Sequence, residues 1–452
     1  MKSKRYLLVV ALCLCTLLSL HAQSFQEGFF LRDFRTGYQF NPALQNPTDF
    51  LSVGDFTRAS RSNVGERAKY YPMDGKVVTA LHPSVPAETF LANLQSDNYK
   101  LSSVDYSLFS YGFARGAAYH TFDVGVHGLY GVSVPIGIFE LLKRGTSRSP
   151  FDLSNARVAG QLYAELAYGY SRDLNGVVSV GFRTKLLLGL DAVSYRITKL
   201  DLTMNETEYR TDIDARLDLT NRSRTLIPDE NGFLNLFRME KSKYGLPSGI
   251  GLALDFGIVI RPNPYLTMSA SMLNLGGLLW HFGNASESSG SASFTGMKDA
   301  TLADFSKDGM KQLLNDVMNE YVSALRLRKS DAVNQWGGLP VQWNGAVKYV
   351  MPFWETLSVG AVASYTLYGE MPYWDARAAF GLHPEAPFAW IDFTANAGWD
   401  TFGPVYGWAM QLRLARFRFS VGKQSGIGPK IPDGGKLDPH ASYSTFGLTY
   451  DL

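Results

Sequence analysis

From Gly249 to Ile260 the even positions are Ile250, Leu252, Leu254, Phe256, Ile258 and Ile260, while the odd set includes Gly249, Gly251, Ala253, Asp255 and Gly257. Successive side chains of a strand point to opposite faces, so this stretch predicts a strand with one greasy face and one small or polar face. The rhythm recurs along the chain. Leu162, Ala164, Leu166, Tyr168 and Tyr170 alternate with Gln161, Glu165, Gly169 and Ser171. Val178, Val180, Phe182, Leu186 and Leu188 alternate with Ser179, Gly181, Arg183, Lys185 and Gly189. The pattern predicts strands near 75–82, 103–113, 119–134, 160–171, 176–190, 249–260, 264–275, 341–351, 355–368, 373–382, 389–400, 405–414, 417–424 and 442–452. That is about 14 strands, within a range of 12–16.

A soluble sandwich alternates too, so strand length has to decide between the two architectures. Most of these strands run roughly 9 to 15 residues, whereas soluble strands average about 5 or 6 and bilayer-crossing ones need about 9 to 11. The expected fold is therefore all-β, a transmembrane antiparallel β-barrel. Connection lengths agree, because such barrels have short turns on one side and long loops on the other. Residues 114–118, 172–175, 261–263, 352–354 and the link at Ala415 and Arg416 form the short set. Residues 135–159, 191–248, 276–340 and 425–441 form the long, extracellular set. Met351-Pro352-Phe353-Trp354-Glu355 and Met371-Pro372-Tyr373-Trp374-Asp375 are similar turns one strand apart, which places aromatics at both membrane faces. The last strand, with Phe446, Leu448, Tyr450 and Leu452 on one face, resembles the terminal signal strand read by the barrel-assembly machinery, although it ends in leucine instead of an aromatic.

Three pieces stand outside this scheme. Tyr209, Thr211, Ile213, Ala215, Leu217 and Leu219 alternate with Arg210, Asp212, Asp214, Arg216 and Asp218, a face too charged for lipid. With Leu200 to Met204 they predict either a hairpin standing above the membrane or two more barrel strands, and the hairpin is preferred. Met310, Leu313, Leu314, Val317, Met318, Tyr321, Val322 and Leu325 fall at helical spacing, predicting a helical loop insertion that caps the barrel or docks a partner. Residues 23–48 precede the barrel, which is assigned to 49–452, and are expected to form an N-terminal plug or a periplasmic tail.

Composition changes the picture at the ends. Lys2, Lys4 and Arg5 precede an apolar run from Leu7 to Leu20, too short for a spanning helix, so residues 1–22 are expected to be a cleaved signal peptide that directs the chain to the outer membrane. The two cysteines, Cys13 and Cys15, lie inside that run, and Leu12 before Cys13 argues against a lipid anchor. The mature chain then has no disulfide, thiolate metal site or cysteine nucleophile. Loss of the leader takes the basic count from 43 to 40 against 41 acidic residues, a net charge of about −1 that gives no basis for nucleic-acid binding. Glycine at 43 residues and aromatics at 13% are high together, and charge at 19% is below the usual quarter, as a membrane sheet requires.

Motifs for chemistry are missing. The sequence has no G-x-x-x-x-G-K, H-E-x-x-H or G-x-S-x-G, and no cofactor or metal is expected. Asp123 and His127 share the polar face of one strand, with Ser133 beyond, yet four residues of strand span about 13 Å, so any acid and histidine pair needs a neighbouring strand. The polar faces carry Glu165, Arg183, Lys185, Asp255, Lys348, Arg377 and Asp392, charges of mixed sign expected to face the lumen. Such a set fits mutual pairing or a path for neutral or hydrophobic solutes, and argues against a strongly ion-selective pore.

Gln39-Phe40-Asn41-Pro42-Ala43-Leu44 resembles the N-P-A segment near the mature start of FadL/PorV-type barrels. The run from Val134 to Gly145, Glu165 to Ser171, Gly181 to Gly189, and Gly338-Leu339-Pro340 leading to Lys348 and Tyr349 resemble a Bacteroidetes outer-membrane family of unknown function. The FadL resemblance implies a fourteen-stranded barrel whose N-terminal segment, here Asn41, Pro42 and Ala43, acts as a hatch over a route for hydrophobic molecules. The PorV resemblance implies instead a barrel that docks secreted or surface proteins. The expected protein is a monomeric, non-enzymatic barrel in outer-membrane lipid that passes or binds hydrophobic or small solutes, with the docking scaffold as the alternative.

Overall fold

The computed structural model describes residues 25–427 and 441–452, apart from 65–68, 74–75, 146–148, 205–208, 221–223, 229, 231, 242–246, 283, 295–326, 332 and 369–370. The expected signal peptide at 1–22 and the expected helix within 310–325 lie outside the described residues.

Among the described residues, fourteen strands close into an antiparallel barrel. Strand β1 is in two pieces, Phe50–Ser52 and Asp55–Ser62. The next six are β2 (Asp97–Arg115), β3 (Ala118–Pro135), β4 (Arg157–Asp173), β5 (Val178–Met204), β6 (Gly249–Asn263) and β7 (Leu266–Phe282). The remainder are β8 (Val341–Met351), β9 (Trp354–Tyr368), β10 (Met371–Leu382), β11 (Ile391–Asp400), β12 (Gly403–Leu414), β13 (Phe417–Gly426) and β14 (Ala441–Asp451). Each strand pairs with its sequence neighbours, and β1 joins β14 to β2, with Phe56 opposite Phe446 on one side and Tyr106 on the other.

The strand expected at 75–82 is a correction. Lys76–Thr79 belongs to a separate hairpin with Tyr70–Met73, and the closing strand is β1. In β1 the outward positions include Arg58 and Ser60, so the apolar half of the alternation is weak there. The hairpin instead sits over a small core of its own on the long-loop side, where Ala80, Val85, Phe90 and Leu94 pack against Ile136 and Phe139 of the helix α1 (Ile136–Arg144).

The alternation itself holds around the wall. On β6, Ile250 and Leu252 are about 60% exposed while Ala253 and Asp255 are buried, so the greasy face points out and the polar face points in. Outward aromatics gather in two bands: Phe353, Trp354, Phe388, Trp390 and Phe417 near the short turns, and Trp343, Tyr365, Trp374, Trp399 and Tyr406 near the long loops. This is the surface of a barrel ringed by hydrocarbon and two interfaces.

The charged segment at 209–220 leaves the strand count unchanged. Strand β5 is 27 residues long, and its upper part pairs with Tyr209–Thr220, which pairs in turn with Asn284–Phe294. Where β6 ends at Gly249, Tyr209–Thr220 takes over beside β5, so the sheet rises beyond the barrel. Thr211, Ile213, Ala215 and Leu217 are buried on its inner face, and the exposed side carries Arg210 and Asp214. The long excursion expected from 276 also starts later, because β7 runs to Phe282 and pairs with Val333–Gly338. Asn274, at φ 61°, shifts the phase between buried Leu273 and buried Leu278 and Trp280, which hides the end of the strand from a period-two reading.

The change from apolar to charged outward residues fixes where hydrocarbon stops. Leu254→Arg, at mid-strand, is expected to cost about 2–4 kcal/mol, and Asp214→Arg on the extension less than about 0.5 kcal/mol, in urea unfolding from phospholipid vesicles.

Candidate functional site

Residues 25–48 lie inside the barrel at the short-turn end. Their apolar side chains explain the position: Phe29, Phe30 and Phe40 pack together against Ala346, Val362 and Ala379 of β8, β9 and β10. Gly360 leaves the room that Phe30 fills, since a Cβ there would stand 2.7 Å from its ring. On the opposite wall Tyr38 packs with Phe50 and Tyr119. Polar anchors complete the seat. Arg35 pairs with Asp451 at 2.7 Å, Arg32 donates to the His383 carbonyl at 2.7 Å, and Gln411 donates to the Arg32 carbonyl at 2.9 Å.

The Asn41-Pro42-Ala43 motif meets the wall where β5 and β6 are paired. The Asn41 carboxamide Nδ2 lies within hydrogen-bond distance of the Ile258 carbonyl (2.9 Å), Ser269 Oγ (2.7 Å) and the Ala270 carbonyl (3.0 Å). Its Oδ1 accepts from the Ala43 amide at 2.9 Å, which folds the motif into a tight turn. Beneath it, Gly181 and Gly257 are cross-strand partners. A Cβ on Gly257 would lie 1.9 Å from Asn41 Oδ1, and one on Gly181 would lie 2.2 Å from the Pro42 carbonyl oxygen. The two glycines are a socket for the motif.

The structure divides the seven charged positions into separate groups. Glu165, Arg183, Lys185 and Asp255 come together on one wall. Arg183 bridges Asp123 at 2.8 Å and Asp255 at 3.1 Å, and Lys185 meets Asp255 at 2.9 Å and Asn274 Oδ1 at 2.6 Å. Lys348 stands apart and donates to the Phe30 carbonyl at 3.0 Å. Arg377 binds Asp375 on its own strand and Gln424 at 3.0 Å. Asp392 pairs with Arg413 and with His383 at 3.1 Å.

Sequence reasoning placed Asp123 and His127 on the polar face but left out their partners. Asp123 accepts from Tyr38 and from Ser110, the latter at 2.8 Å, so a residue of the N-terminal segment completes the wall cluster. His127 finds its carboxylate on the neighbouring strand: Asp105 faces it in register and accepts at 2.8 Å. Ser133 lies six residues further along β3, opposite Tyr99, and takes no part. A second histidine forms a Ser358–His383–Asp392 chain, with 2.9 Å from Ser358 Oγ to His383 Nε2. Ser358 has no exposed surface and Asp392 is offset by Arg413, so this chain ties β9 to the β10–β11 turn and presents no nucleophile.

Beside the wall cluster lies a chamber of about 230 Å³. Gln26, Gln39 and Phe40 of the N-terminal segment form one side, and Asp105, His127, Glu165, Arg183 and Lys185 line another. Among the described residues no group of His, Cys, Asp and Glu is arranged to hold a metal ion.

The model of a family of unknown function, DUF5723, matches residues 57–423. No curated protein matches the sequence. Among solved structures, the toluene transporter TbuX of Ralstonia pickettii is similar over 96% of this chain and 100% of its own, at 8% identity and a TM-score of 0.44. A FadL homologue of Pseudomonas aeruginosa is similar over 96% and 99%, at 12% identity and a TM-score of 0.43. A deltaS2S3 mutant of the monoaromatic hydrocarbon channel TodX is similar over 96% and 98%, at 7% identity and a TM-score of 0.46.

The glycine socket is testable. Gly257→Ala is expected to expel Asn41 while the barrel stays assembled, so trypsin cleavage after Arg32 and Arg35 should quicken by roughly tenfold or more at an unchanged barrel melting temperature.

Proposed function

The chain belongs to DUF5723, a family of unknown function, and for it we propose a gated passage for small solutes across the outer membrane, closed at rest by residues 25–48. The observation that carries this reading is the seat of that segment. It fills the short-turn end of a closed barrel, and a chamber adjoins it within the lumen. The proposed export by residues 1–22 and the orientation with long loops outside follow the same reading. Solute then enters from the loop side, and movement of the plug completes the route.

Two features support a plug that moves. Its contacts with the wall are side-chain hydrogen bonds, one ion pair and aromatic packing, none of them part of the barrel ladder. The lumen wall meanwhile pairs most of its own charges, so withdrawal of the plug strands few of them. The FadL resemblance implies hydrophobic molecules, whereas the charged side chains that line the chamber suit a small polar solute better.

A docking barrel for secreted or surface proteins is the second reading. It draws on the sheet that rises beyond the membrane through β5, Tyr209–Thr220 and Asn284–Phe294. Swelling of liposomes loaded with the mature protein separates the two. Deletion of residues 25–48 is expected to open uptake of sugars and amino acids, and Asn41→Ala, which forfeits about 1–3 kcal/mol of anchoring, to raise it partway. A deleted barrel that stays impermeable would favour the docking role.

A further inference from the structure

We infer that the chamber beside the plug is a binding site for a small organic ammonium compound, with Glu165 as its primary contact. The argument begins with charge. Asp105, Asp123, Glu165 and Asp255 share their wall with two permanent cations, Arg183 and Lys185, and with His127. Even a protonated His127 leaves this group one positive charge short. Asp55 and Arg61, which also line the chamber, offset each other and leave the deficit unchanged.

Hydrogen bonding shows where the missing charge belongs. Asp105 accepts from His127, Asp123 from Tyr38, Ser110 and Arg183, and Asp255 from Arg183 and the Asn274 amide. Among the described residues none donates a hydrogen bond to Glu165, although it is only 5% exposed. Its nearest cationic nitrogens, on His127, Arg183 and Lys185, stand at 3.7, 3.7 and 3.9 Å. A buried carboxylate held this way is costly unless something else donates to it, and Glu165 lines the chamber.

The class of ligand follows from the surroundings. An ammonium group has three donors and one charge, which suits Glu165 with a second chamber carboxylate. Tyr163, Tyr443 and Phe40 line the same space, and aromatic surroundings favour a cation. A bare metal ion fits less well, because among the described residues no group of three or more His, Cys, Asp and Glu could hold one.

This inference rests on the passage reading, since a solute reaches Glu165 only through the lumen. It is tested by isothermal titration of the full mature chain in detergent with putrescine, and with acetate, glucose and calcium chloride for comparison. Putrescine should bind, the other three should not, and Glu165→Gln should weaken putrescine at least about tenfold at an unchanged melting temperature. Equal binding by Glu165→Gln, or binding of acetate, glucose or calcium in place of putrescine, would overturn the site. If the variant does not assemble, the ligand ranking of the wild-type chain still decides. Putrescine binding without liposome swelling in the plug-deleted barrel keeps the site and removes the passage. Swelling without putrescine binding does the reverse.

Discussion

The sheet closes through a strand that breaks after three residues, and the repair of that break holds the cylinder together. Phe50–Ser52 and Asp55–Ser62 each bond to β14 on one side and β2 on the other. Between them Gly54 takes φ 75°, a conformation that suits glycine. The Asp55 carboxylate then stands in for the interrupted backbone, accepting from Ser52 Oγ at 2.7 Å and from the Leu448 amide at 3.0 Å. Gly447 makes space for it, since a Cβ there would lie 2.9 Å from Asp55 Oδ1. In hydrocarbon an open strand edge has no water to bond, so the barrel depends on this seam.

The seam also fixes where the plug enters. The chain passes from residue 48 directly into β1, and Asp49 is held at both neighbours: its carbonyl accepts from the Leu452 amide at 3.0 Å and its carboxylate from the Ala114 amide at 2.8 Å. Asp451 in β14 joins Arg35 of the plug to Arg418 of β13. The closure of the wall and the tether of the plug therefore share residues. Residues 25–48 are thereby fixed to the wall at their C-terminal end, beside the seam.

Much of this was legible because membrane strands write their two environments into alternate residues. The outward leucines and isoleucines of β6 and the inward Glu165, Arg183, Lys185 and Asp255 follow from period two alone. What escaped was information carried by partners distant in sequence. The outward Arg58 and Ser60 make β1 look unlike a lipid-facing strand, so a loop hairpin took its place in the count. Gly181 and Gly257 read as small inward residues, and only their register, opposite one another under Asn41, makes them a socket. Asp105 and His127 belong to different strands, and the bulge between Ser107 and Phe109 sets the register that brings them together.

The lumen separates charges that the wall satisfies by itself from those that need the plug. Arg183 with Asp255, Arg377 with Asp375, and Arg413 with Asp392 are wall-to-wall pairs that stand without residues 25–48, although Asp123 adds Tyr38 of that segment to its bond with Arg183. Lys348, which donates to the Phe30 and Leu31 carbonyls, and Asp451, which shares Arg35 with the plug, do not. Both lie toward the short-turn end. In the proposed opening Asp451 would keep Arg418, and Lys348 would face a lumen that water can enter, where an ammonium group needs no fixed partner. In the proposed passage the cost of opening would fall on the apolar contacts of Phe29, Phe30 and Phe40, on the Tyr38–Asp123 bond and on the Asn41 turn. Those contacts have no role in closing the sheet, as the proposed movement of the segment inside a fixed barrel requires.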